Sequence, residues 1–184
     1  MTWLKRHWGF LAAALAIAAA VHVASVTALP HLIMLRVFAA LARDGGFNTM
    51  HHGARATARS RLIVRPSPDL LYSTCPYDLD AAGGRLAIRA HGMPDTYWSV
   101  SLFDANTNNF FVLNDAHAQG NVDIALVAPD APIAAERQGA DGGALRVVSP
   151  TRRGVVLIRT LINQETHLAD IDAARRRATC EAER

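Results

Sequence analysis

A chain of 184 residues that is 51% hydrophobic and 19% charged can build one ordinary buried core beyond any apolar leader. Its formal net charge of +3 comes from scattered arginines and the run Arg175-Arg176-Arg177. No basic patch is interleaved with aromatic residues, so nucleic-acid binding is not expected. The two cysteines, Cys75 and Cys180, have neither CxxC spacing nor a histidine at ligand spacing, and no metal or cofactor is expected.

Residues Gly9 to Leu29 (GFLAAALAIAAAVHVASVTAL) contain no charge and one histidine, directly behind Lys5-Arg6. That length matches the roughly 20 residues a helix needs to cross a bilayer. Residues 1–29 are therefore read as a cytoplasmic tip and a transmembrane signal anchor, with the lipid bilayer as partner of residues 9–29. A cleaved signal peptide is the alternative, since Val26-Thr27-Ala28 is an acceptable cleavage signal. The apolar run is longer than the usual h-region of about 7–15 residues, which favours the anchor. Lys5 and Arg6 favour a cytoplasmic N-terminus and a periplasmic body in the inner membrane of a bacterium, opposed by Arg36 and Arg43.

Residues 30–60 are read as an amphipathic helix and a linker. His31 to Arg43 places Leu32, Leu35, Phe38, Ala39 and Ala42 on one face, and Gly45-Gly46 ends it. Pro30 suggests a break from the membrane helix. His51-His52 lies on a segment with nothing else to complete a ligand set.

Residues 61–184 read as a mainly β domain closed by a C-terminal helix. The strand-like runs are Arg61–Arg65, Leu70–Pro76, Gly84–His91, Thr96–Phe103, Asn109–Asn114, Val122–Ala128, Ala144–Ser149 and Arg153–Ile162. Glycine- and proline-rich turns separate them. Leu86, Ile88 and Ala90 oppose Arg85 and Arg89; Trp98, Val100 and Leu102 oppose Ser99 and Ser101. About eight short strands with regular turns argue an antiparallel β-sandwich or jelly-roll-like body. Cys75 is read as a small buried hydrophobe, and its pairing with Cys180 stays open because spacing does not show proximity. Gln164 to Glu181 is helical in propensity, with Leu168, Ile171 and Ala174 on one stripe.

Polar and aromatic residues concentrate in Asp69–Asp78 and Asp95–Asn109. Asp69, Tyr72, Asp95, Trp98, Asp104 and Asn106 are the candidate ligand-binding residues. Asp69 and Asp104 would be available for acid–base work if the fold joined them in one cleft. Asp and Asn beside strand ends equally serve turns that bond their own backbone. There is no nucleophile elbow, phosphate loop or HExxH helix, and Ser73 has no evident base.

The run Val64-Arg65-Pro66-Ser67-Pro68-Asp69-Leu70-Leu71-Tyr72-Ser73-Thr74 through Asp78-Leu79, with Pro94-Asp95-Thr96-Tyr97-Trp98 through Phe103-Asp104-Ala105-Asn106-Thr107-Asn108, resembles a bacterial family, domain of unknown function 1254. It departs from the family pattern at Ser67-Pro68 and Leu70, where Asn and Thr are usual. The likeness is to the short, membrane-anchored members. It implies a β-sandwich and an envelope location, and no reaction. Larger relatives are fused to a second all-β domain, unknown-function family 1214. The resemblance thus implies a separately encoded partner of that second kind, with a homodimer as the alternative. Two functions are carried forward: a non-enzymatic, membrane-anchored domain that docks on a partner, and a binder or hydrolase of a small, carbohydrate-like molecule.

Overall fold

The computed structural model describes residues 2–60, 65–118, 120–131 and 143–183. The expected strand at Arg61–Arg65 falls almost wholly outside them. Helix α1 spans Thr2–Leu41, 40 residues, or about 60 Å at the α-helical rise. The break expected at Pro30 does not occur, because the helix runs through it. Proline there costs one backbone bond, a loss that apolar spanning helices tolerate. One turn earlier, Thr27 Oγ1 donates to the carbonyls of Val23 and Ala24 at 2.9 and 3.1 Å. Residues Phe10 to Leu29 are almost entirely exposed.

The β body is two sheets on one core. The first has the order β1-β2-β8-β4-β5, from β1 (His51–His52), β2 (Leu70–Asp78), β8 (Arg153–Leu161), β4 (Trp98–Asp104) and β5 (Asn109–Asn114). All its pairings are antiparallel. The second has the order β7-β6-β3-β9, from β7 (Leu145–Val148), β6 (Val122–Val127), β3 (Arg85–Ala90) and β9 (Thr179–Ala182). Here β7 runs parallel to β6, so the wholly antiparallel body expected from the strand pattern is corrected to a mixed one. A single-turn helix α2 (Asp115–Ala118) follows β5.

The alternation read from the sequence places Leu86, Ile88, Ala90, Trp98, Val100 and Leu102 in one cluster with Ile124, Leu126, Val156 and Ile158 from neighbouring strands. Each of the larger side chains stabilises the fold by roughly 1.5–3 kcal/mol on burial. Tyr77 lies fully buried in that cluster, its hydroxyl 2.8 Å from Ser149 Oγ, and burial pushes its phenol up to about 12. Its ring fills the space a Cβ at Gly154 would need.

The other face of the first sheet is not the solvated one that Ser99 and Ser101 suggest, for both are fully buried. One end of that face is covered by α1, whose Met34 and Phe38 pack on Val155, with Val37, Leu41, Phe47 and Ala105 around them. Arg153 adds its guanidinium 5.5 Å above the Phe47 ring. Helix and β body therefore share a packed junction.

Two further expectations are corrected. Cys75 is not merely a buried hydrophobe; it forms a disulfide with Cys180, with a Cα–Cα distance of 6.4 Å. The bond joins β2 of one sheet to β9 of the other. The continuous C-terminal helix is also absent. A helical turn at Glu165–His167 and helix α3 (Leu168–Arg175) are followed by β9, which pairs with β3 from Arg89↔Thr179 to Leu86↔Ala182. Sheet pairing and the disulfide override the helical propensity of the arginine- and alanine-rich tail.

Candidate functional site

Helix α3 turns Ile171 inward against Leu71 and Ile162, which leaves its outer flank facing the β3–β4 connection. Between them lies an open cleft of about 500 Å³, lined by Asp95, Asn163, His167, Asp170 and Arg177, with Met93 on its apolar side. Arg177 donates to the Gly92 carbonyl, tying the connection to the residues after α3. Gly92 has a φ of +59°, and a Cβ there would crowd the Arg177 guanidinium. Two carboxylates, an imidazole and a guanidinium on one concave surface suit a small polar ligand.

Behind the cleft, Arg175 is 1% exposed. Its Nε donates to Asp172 Oδ1 at 2.7 Å, and its remaining N–H groups reach Tyr72 O at 3.0 Å, Ser73 Oγ at 3.1 Å, Gly53 O at 2.7 Å and Asp172 again. Four of the guanidinium donors are thereby matched by hydrogen bonds, and Asp172 completes an ion pair, as a buried arginine requires. The Asp172 carboxyl is held below its ordinary range: burial opposes ionisation, but hydrogen bonds from Arg176 and Arg175 outweigh it.

His52 Nδ1 lies 2.9 Å from Ser73 Oγ. A hydroxyl beside an imidazole is the pairing that activates a nucleophile. Ser73, however, is fully buried and receives Arg175, so the pair serves the packing of β1 on β2. The signal for it was the β1 register, His52↔Ser73, which sequence reasoning missed because a two-residue strand has no periodicity. His51 and His52, adjacent on a strand, point to opposite sides. Among the described residues no three His, Cys, Asp or Glu side chains gather as metal ligands.

Burial first, then the charges of Arg175 and Arg176, depress the His52 pKa. The unfolded chain then binds this proton more readily than the folded one. The corresponding stability is fully present above about pH 6.5 and declines as pH falls from there toward the folded value. Urea midpoints should therefore drop between pH 7.5 and pH 5.5, and drop less in His52→Gln. Equal pH dependence in the two proteins would count against this assignment.

The candidate residues named from the sequence do not converge. Asp95 alone lines the cleft. Trp98 is a core side chain, 2% exposed. Asp104 organises a turn, accepting from the backbone N–H of Asn106 at 2.8 Å and of Asn108 at 2.9 Å, and from Asn108 Nδ2 at 3.0 Å. Asn106 belongs to that same turn. Tyr72 accepts from Ser67 N at 2.9 Å, on the face of the first sheet away from the core. Asp69 is exposed and gives its carbonyl to Ile162 N at 2.9 Å. Because β2 and β4 both run antiparallel to β8, Asp69 precedes the first and Asp104 ends the second at opposite ends of the sheet. They lie about 26 Å apart along the strands and form no acid–base pair.

Among solved structures, the chain is similar to the VPA0106 protein of Vibrio parahaemolyticus, with a TM-score of 0.59 and 12% identity over 86% of this chain and 36% of that one. It also matches an uncharacterised protein from Burkholderia cenocepacia, with a TM-score of 0.47 and 22% identity over 66% of this chain and 33% of that one. The first likeness supports the β-rich architecture. The chain thus spans about a third of the length of these structures, 36% and 33%. No curated protein matches. The profile described as "Protein of unknown function (DUF1254)" matches residues 47–182, from the segment before β1 to the end of β9. The chain belongs to the DUF1254 family.

Proposed function

We propose that the chain is a membrane-tethered envelope protein whose β body, a sandwich-type scaffold, binds a partner polypeptide rather than catalysing a reaction. The observation that carries the reading is the state of the sheet edges. β7 ends its sheet with Leu145 and Val148 at 47% and 48% exposure, and β5 ends the other with Val112 at 55%. Open apolar edge strands template pairing with another chain unless something covers them. A separately encoded β domain of the family 1214 kind is the partner we propose to pair with these edges, with a homodimer next. A shared bilayer raises the effective concentration of two anchored chains.

The tether rests on α1, which is long and apolar enough to cross a membrane. Met34 and Phe38, which pack on the β body, lie only about 8 and 14 Å of helix beyond Leu29, so the body sits close to the bilayer. The Cys75–Cys180 disulfide favours an oxidising compartment, and Lys5-Arg6 favours a cytoplasmic N-terminus. Both support the inner membrane with a periplasmic body.

A second reading, a small carbohydrate-like ligand or its hydrolysis, is favoured by the cleft that holds Asp95 and Asp170 together. Affinity purification from gently solubilised native membranes separates the two. A stoichiometric second polypeptide is expected; a monodisperse monomer, from a preparation that preserves other envelope complexes, would contradict the partner reading.

A further inference from the structure

The face of the first sheet that points away from the core carries one polar row in register. Tyr72 on β2, Arg159 on β8, Ser99 on β4 and Asn114 on β5 lie side by side. Ser101 is two residues along β4 from Ser99. Strand alternation turns all five from the core. The rows on either side supply Leu70, Thr74, Leu157, Leu161 and Val112, with no carboxylate among them. Ser99 and Ser101 are fully buried. Among the described residues, their hydroxyls and Arg159 Nε are all buried without a hydrogen-bond partner, and Arg159 has no ion pair.

A buried hydroxyl left unmatched costs free energy comparable to a lost hydrogen bond. Three such groups on neighbouring strand positions of one face are not accounted for by packing. All can donate, and Arg159 as a whole is only half-buried. Tyr72 Oη accepts from Ser67 N and Asn114 Oδ1 is 2.6 Å from His117 Nδ1. That leaves the phenol proton and the Asn114 amide N–H groups to donate as well. A row of donors around one arginine fits an oxyanion. A delocalised cation flanked by the two neutral hydroxyls of Ser99 and Ser101 suits the several oxygens of a phosphate.

We propose that this row, centred on Arg159 with Ser99 and Ser101, binds a phosphate group. Arg159 lies about 13 Å along β8 from Val155, where α1 packs. A phospholipid headgroup is therefore one source of that phosphate and a free phosphate the other.

The test uses the full-length chain in a phosphate-free maltoside detergent, with melting temperature followed against inorganic phosphate, glycerol 3-phosphate as headgroup probe, and sodium chloride at equal ionic strength. A saturable rise with a phosphate compound and not with chloride is expected. It should be weakened at least tenfold in apparent affinity by Arg159→Met and by the double variant Ser99→Ala/Ser101→Ala. The double variant removes only unmatched hydroxyls, so it should fold. Tighter saturation by glycerol 3-phosphate assigns the lipid source; equal or tighter saturation by inorganic phosphate assigns the free anion. No saturable rise with either compound, or an equal rise in both variants, would overturn the proposal.

Discussion

Replacing Cys75 and Cys180 together with alanine should lower the unfolding free energy by about 2–5 kcal/mol, read from urea or guanidinium unfolding. The bond closes a sequence separation of 105 residues, and in the chain-entropy account a loop near that size is worth about 4.7 kcal/mol. The contribution is local as well. β9 is a four-residue edge strand held by its pairing to β3 and by ion pairs of Glu183 with Arg85 and Arg89. Without the disulfide the two sheets lose their cross-link, and β9 should be the first segment to exchange its amide protons. A change below about 1 kcal/mol would mean that core packing alone holds the sheets together.

Val100→Asp should abolish the folded β body. Val100 is fully buried, paired with Ile158 on one side and Leu113 on the other. The cluster around it is built from hydrophobic side chains. The substitution removes a contribution of roughly 1.5–3 kcal/mol and either buries an unpaired carboxylate or forces its protonation, at several kcal/mol more. That sum is comparable to the whole stability of a typical domain, about 5–15 kcal/mol. Near-ultraviolet circular dichroism should show lost tertiary packing, and an unchanged melting temperature would contradict the placement of β4 in the core.

Much of the body was legible because strands announce themselves by alternation and by the turns between them. Asn109–Asn114 was read with the bounds that β5 has, and Arg153–Ile162 with nearly those of β8. What was not legible depends on contacts between distant segments. β1 is two residues long and exists through its pairing with Thr74 and Ser73. β9 sits in a sequence that favours helix and becomes a strand because β3 offers it an edge. The parallel pairing of β7 with β6 depends on how a connection crosses, which side-chain patterning does not encode. Pro30 was misread because a proline that interrupts a soluble helix is accommodated in an exposed apolar one.

The candidate site shows the same division. Asp95 was legible as a polar residue beside a strand, but its companions His167, Asp170 and Arg177 come from more than 70 positions away. Asp104 and Asn106 were equally conspicuous and belong to a self-bonded turn, the alternative that Asp and Asn beside a strand always carry. Arg175, in a terminal run that reads as a solvated basic end, is instead the most fully matched buried charge described. Only the fold tells it from Arg176, which bonds Asp172 while staying exposed.

Central to the proposed function is a tether, with the helix retained and the body in an oxidising compartment. Intact-mass measurement of the chain recovered from native membranes, with and without reductant, tests it most directly. A chain that keeps residues 9–29 and gains two hydrogen atoms on reduction, as the Cys75–Cys180 bond opens, is the expected result. A mature chain beginning at Leu29, or one whose two cysteines are already reduced in the membrane, would contradict it.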